Sequence, residues 1–97
     1  MIDDYSEDLF TQNAKRTLEQ EGAFGLIRSG DWKERMLGEY VYLCGNIKRA
    51  ERAYREGVYT DAEVNNVFLA QIDAMKAYRD ALEKRALLLN INLHINA

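Results

Sequence analysis

The sequence predicts an all-α protein: an antiparallel two-helix hairpin plus an N-terminal helix, with a short extended C-terminal tail. Three observations carry this. Apolar residues recur at threes and fours from residue 31 to residue 89, cap-forming residues stand at the heads of both long runs, and the chain has no proline to interrupt them. With 97 residues there is room for a single helical domain, 1–97, which divides into an N-terminal helix and docking segment (1–30), the hairpin (31–89) and the tail (90–97).

Asp3 to Gln20 reads as the first and weaker helix. Acidic residues come early, Lys15 and Arg16 later, and Tyr5, Leu9, Ala14 and Leu18 supply an apolar side, an order that suits the helix dipole. Gly22, Gly25 and Gly30 then bracket Ala23, Phe24, Leu26 and Ile27. That greasy segment is too broken for a long helix and should dock on another element.

The second helix opens at Asp31, with Glu34 three residues on as a capping pair, and ends near Glu56, where Gly57 can take the left-handed terminating conformation. Trp32, Met36, Tyr40, Leu43, Ile47, Ala50 and Tyr54 form its seam stripe. The third helix runs from Tyr59 to Leu89. Thr60 and Glu63 are placed as a capping box, and Tyr59 as a staple onto Val64. Val64, Phe68, Met75, Leu82 and Leu89 repeat along it, with Gln71, Tyr78 and Arg85 filling the other seam positions. In the tail, Ile91, Leu93 and Ile95 alternate with Asn92, His94 and Asn96, which is strand patterning without a strand partner in a helical chain. It either pairs across subunits or lies extended.

Composition narrows the function classes. A net charge of −3 disfavours binding to long nucleic acid, whose affinity comes mainly from neutralised phosphates, although a local basic patch can still hold a small anion. No apolar run approaches the length of a membrane span or a signal-peptide core, so a soluble, cytoplasmic protein with no membrane partner is expected. Cys44, the only cysteine, fits a small buried residue in a reducing compartment, and His94 a surface histidine. There is no glycine-rich phosphate loop, zinc spacing, nucleophile elbow or paired metal carboxylate. The expectation is therefore no catalytic residue, no metal and no cofactor. Charged pairs such as Lys76 with Asp80, or Arg79 with Glu83, read as solvated helix pairs.

Two clusters are candidates for ligand binding. Folding the hairpin at residues 57 to 59 brings Trp32 level with Arg85 and Glu39 level with Tyr78, gathering Trp32, Arg35, Tyr78 and Arg85. Such a cluster is either a satisfied polar knot or a place where aromatic rings stack a base and guanidinium groups take phosphate. The second cluster is Tyr42 and Arg49, with Arg52, on a face of the second helix notched by glycine. Gly38, Gly45 and Val41 on that helix, and the ridge Ala70, Ala74, Ala77 and Ala81 on the next, are candidate oligomer contacts. Two helices offer more apolar surface than one hairpin covers, so a homo-oligomer is expected.

The residues Asp31-Trp32-x-x-Arg35-Met36-x-x-Glu39, followed by Gln71-x-x-x-Met75-x-x-Tyr78-x-x-x-Leu82-x-x-Arg85, resemble a group of short helical-hairpin proteins from bacteriophages of gut bacteria. In layout these are similar to the phage sponge proteins that counter CBASS and Thoeris immunity. The chain differs from the anti-CBASS sponge hairpin in lacking its aromatic and histidine stretch before the first long helix. The resemblance implies a non-enzymatic anti-defence protein that sequesters a small cyclic nucleotide signal at oligomer interfaces in the host cytoplasm. Two other classes stand beside it: a module that inhibits a host protein through a Leu37, Val41 and Cys44 face, and a small virion or assembly factor.

Overall fold

The computed structural model describes residues 8–95, and among these every element is helical: α1 (Leu9–Ile27), α2 (Trp32–Arg55) and α3 (Ala62–Leu88). The all-α expectation holds, with α2 and α3 forming the antiparallel hairpin. Asp3, Tyr5 and Asn96, assigned above to the first helix and the tail, lie outside the described residues.

α1 continues past Gln20, where its sequence pattern stops. Asp8 caps it, accepting from the Thr11 backbone N–H at 2.7 Å. At Gly22, where φ is +73°, the helix breaks, and the greasy residues that follow form a further turn instead of a loop. That turn docks on α2. Leu26 is fully buried, and Gly38 of α2 lies so close that a Cβ built there falls 2.7 Å from the Ile27 amide nitrogen and 2.7 Å from Leu26 Cβ. Gly38 thus serves contact within the chain, which corrects its assignment to an oligomer interface.

α2 starts as its sequence indicates, with Asp31 accepting from the Lys33 N–H at 2.8 Å. Glu34 accepts from the Ser29 hydroxyl, a variation on the expected capping pair. At the other end Gly57 adopts φ +69°, and Val58 and Gly57 donate back to the Ala53 and Tyr54 carbonyls. This Schellman turn satisfies carbonyls that the helix end would leave open. Met36, Tyr40, Leu43 and Ile47 are buried as the stripe implies, whereas Trp32 at its head is 47% exposed.

α3 departs from the expected pattern in three ways. Its cap is Asp61, not Thr60: one carboxylate oxygen accepts from both the Glu63 and Val64 N–H groups. Tyr59 packs edge-on against Phe68, with ring centroids 5.0 Å apart, while Val64 is left exposed. Its inner face carries Phe68, Ile72, Met75, Arg79, Leu82 and Ala86, and Gln71, Tyr78 and Arg85 face outward. Phe68, Met75 and Leu82, seven residues apart, lie on the inner face as expected. Its partners fall four residues on instead of three, because Ile72 and Ala86 are apolar where Gln71 and Arg85 are not.

The hairpin register is shifted as well. Tyr40 bonds Glu83, and Lys76 pairs with Glu51 at 2.6 Å, so Arg55 comes level with about Ile72 and the first turns of α3 run on past the end of α2. The six-residue connection 56–61 returns alongside that overhang, with Tyr59 on Phe68. Lys76 therefore bridges two helices instead of pairing with Asp80, and Arg79 contacts the exposed Asp80 instead of Glu83.

Beyond α3, Asn90 takes a left-handed φ of +57°, and Ile91 donates to the Ala86 carbonyl in a second Schellman turn. The tail then lies extended without forming a strand among the described residues, its apolar alternation directed inward: Leu93 and Ile95 join the core with Ala14, Leu26, Leu37, Leu43 and Leu82. Val41 and Cys44 pack partly buried against the same cluster and Leu37 is fully buried. The face proposed above for a host protein is thus largely occupied by the chain itself.

Candidate functional site

The first candidate cluster is not assembled within one chain. Trp32 and Arg35 sit at the corner between α1 and α2, where Lys33 Nζ lies 5.9 Å from the indole centroid and Arg35 donates to the Ser29 carbonyl at 2.9 Å. Tyr78 and Arg85 project from the far side of α3. The shifted register and the fourfold step together separate the pairs. The second cluster also has other work: Tyr42 packs at a tilt against Phe24, ring centroids 5.0 Å apart, and Arg49 donates to Asn46 while its guanidinium lies over Gly45.

A different set of residues meets where the tail crosses α2. Tyr40, Cys44 and Lys48 follow one another at steps of four, which aligns them along one line of the helix. The tail brings Leu93 and His94 beside them, with the turn fixed by the His94 N–H donating to the Asn92 side chain at 2.9 Å. Between lies a cleft of about 430 Å³, whose walls also include Val41 and Ile95. A smaller hollow of about 220 Å³, against Glu83, Ala86 and Ile91, shares Leu93 and His94 from the other side of the tail.

The cleft's chemistry follows from its neighbours. The Tyr40 hydroxyl donates to Glu83, and the His94 ring meets the Tyr40 ring edge-on at 5.8 Å. Burial, then the bond to Glu83 and the nearness of Cys44, hold the Tyr40 hydroxyl well above the usual tyrosine range. It remains neutral and contributes an aromatic wall, not a base. Val41, Leu93 and Ile95 give an apolar lining, and Lys48 stands at the rim with an ammonium exposed to solvent. An aromatic wall, an apolar lining and one cation suit a small planar anion. The sequence pattern puts Tyr40 in the seam and His94 on the surface, as the structure has them, but does not join them with Lys48. The line through residues 40, 44 and 48, set against an alternating tail, was the signal available.

α3 supplies the other open surface. Its side away from α2 exposes Val67, Leu88 and the alanines 70, 74, 77 and 81, with Tyr78 and Arg85 alongside. Among the described residues no three His, Cys, Asp or Glu side chains are placed to hold a metal ion, and no helix is long and apolar enough to cross a membrane.

The family model Sequestin matches residues 30–88, a span that begins at the head of α2 and ends with α3. No curated protein and no solved structure matches the chain.

Proposed function

The chain belongs to the Sequestin family, and from that premise we propose that it is a phage anti-defence protein which captures a small cyclic nucleotide signal and holds it without turning it over. Membership over the whole hairpin is the observation that carries this reading, since the family's name speaks of sequestration. The ligand sits in the cleft between α2 and the tail. Its base lies against the Tyr40 and His94 rings, and its phosphate takes the Lys48 ammonium. The protein acts in the host cytoplasm as a homo-oligomer, so that one assembly removes several signal molecules.

Isothermal calorimetry against cyclic di- and trinucleotides and cyclic ADP-ribose isomers tests this. At least one of them is expected to bind and to be recovered unchanged after the protein is denatured. Absence of heat with every compound would remove the reading, and recovery of a cleaved product would replace capture with catalysis. Lys48→Ala is expected to weaken binding about tenfold, the worth of one charged hydrogen bond, while Arg49→Ala leaves it unchanged.

A further inference from the structure

The outward side of α3 is organised as well as open. Val67, Ala70, Ala74, Ala77, Ala81 and Leu88 follow steps of three and four that Lys84 completes, the seven-residue repeat of a helix built to pack along a second helix. Val67 is 65% exposed and Leu88 79%, so nothing among the described residues covers this seam. Alanine through its middle lets two backbones approach closely.

We propose that this face pairs with the same face of a second copy, the two α3 helices running parallel. The residues beside the seam decide the partner and the direction. One flank carries Asn66, Asp73 and Asp80, the other Gln71, Tyr78 and Arg85. In a parallel pair each residue of the first flank meets the residue five positions further on in the other copy. Asn66 then meets Gln71, Asp73 meets the Tyr78 hydroxyl and Asp80 meets Arg85, and symmetry makes each contact twice. An antiparallel pair brings like flanks together and sets Asp73 against Asp80, two carboxylates that repel. Asp80, whose side chain is 67% exposed, pairs with the neighbouring Arg79 at 3.4 Å, a solvated contact that it exchanges for one with the other copy. Complementarity between the two flanks of a single helix points to a second copy of this chain, not to a foreign protein. Lys84 lays its stem along the seam and carries its ammonium out to solvent at the seam's edge.

The pairing gives a surface and a symmetry to the oligomer in the proposed function but does not depend on the ligand, so calorimetry and oligomeric state fail separately. Sedimentation equilibrium without nucleotide is expected to show a dimer or higher assembly. Ala77→Glu, on an exposed face and harmless to the monomer fold by circular dichroism, is expected to raise the dissociation constant on the order of a hundredfold by burying an unpaired charge. Asp80→Arg and Arg85→Asp are each expected to weaken assembly about tenfold, and an equimolar mixture of the two to recover it, because the mixed pair restores both ion pairs. A monomer at tens of micromolar overturns the proposal. So does an assembly indifferent to Ala77→Glu, and one that Asp80→Arg tightens overturns the parallel order.

Discussion

The two long helices are treated differently by the rest of the chain. α2 is covered on several sides: α1 docks at Gly38, the tail crosses near Tyr40, α3 packs along Leu43 and Ile47, and Leu37 is fully buried among them. Among the described residues α3 is covered on one side only. Ile72, Leu82 and Ala86 are buried, yet Val67, Leu87 and Leu88 remain largely exposed. Both helices are apolar on more than one face, so composition does not separate them. What separates them is where the other described segments go: α1 and the tail both pack on α2.

Substitutions can break or sharpen this contrast. The largest effect is expected at Leu37→Ala, where lost burial and the cavity left behind cost about 2 to 5 kcal/mol in a urea titration. Leu88→Ala should leave monomer stability within about 0.5 kcal/mol, since its side chain is already in water. Equal losses at the two sites would erase the distinction between the helices.

The glycines of α2 give a pair with opposite signs. A Cβ at position 38 meets the Ile27 backbone at 2.7 Å, which cannot move without lifting the last turn of α1, so Gly38→Ala is expected to cost about 1 to 3 kcal/mol. At position 45 a Cβ meets only the flexible Arg49 guanidinium, at 3.3 Å. Gly45→Ala should therefore gain up to about 1 kcal/mol from helix propensity, read as a higher melting temperature.

Tyr40→Phe falls between these in size. Removing the hydroxyl from Glu83 is expected to cost about 1 kcal/mol at neutral pH. The same residue sets an alkaline limit. The unfolded hydroxyl ionises near 10.0, whereas the folded one keeps its proton to higher pH. Its stabilisation is therefore complete below pH 10 and is lost as pH rises beyond that value. Urea titrations across that range should show the decline in the native protein and a flatter profile in Tyr40→Phe.

Much of the fold was legible in the sequence, because local rules decide it. Asp31 at the head of α2, Gly57 at its foot and the stripe through Met36, Tyr40, Leu43 and Ile47 each follow from capping or burial within a few residues. The failures share a cause in contacts between segments. Ile72 and Ala86, not Gln71 and Arg85, face α2, and the connection 56–61 occupies length beside Phe68, so a Trp32–Arg85 cluster does not form within the chain. The cleft went unseen for the same reason: nothing in the local pattern of Tyr40, Lys48 or His94 says that the tail returns across α2. The alanine ridge of α3, by contrast, was visible from its spacing, and it lies exposed as that spacing implies.

In the proposed function α2 and the tail hold the ligand, and α3 is left for a second copy. Native mass spectrometry of the full chain, with and without a panel of cyclic nucleotides, reads both parts in one spectrum. The expected result is a mass of at least two chains that gains up to one intact nucleotide per chain. A single-chain mass with no adduct from any compound would contradict the account.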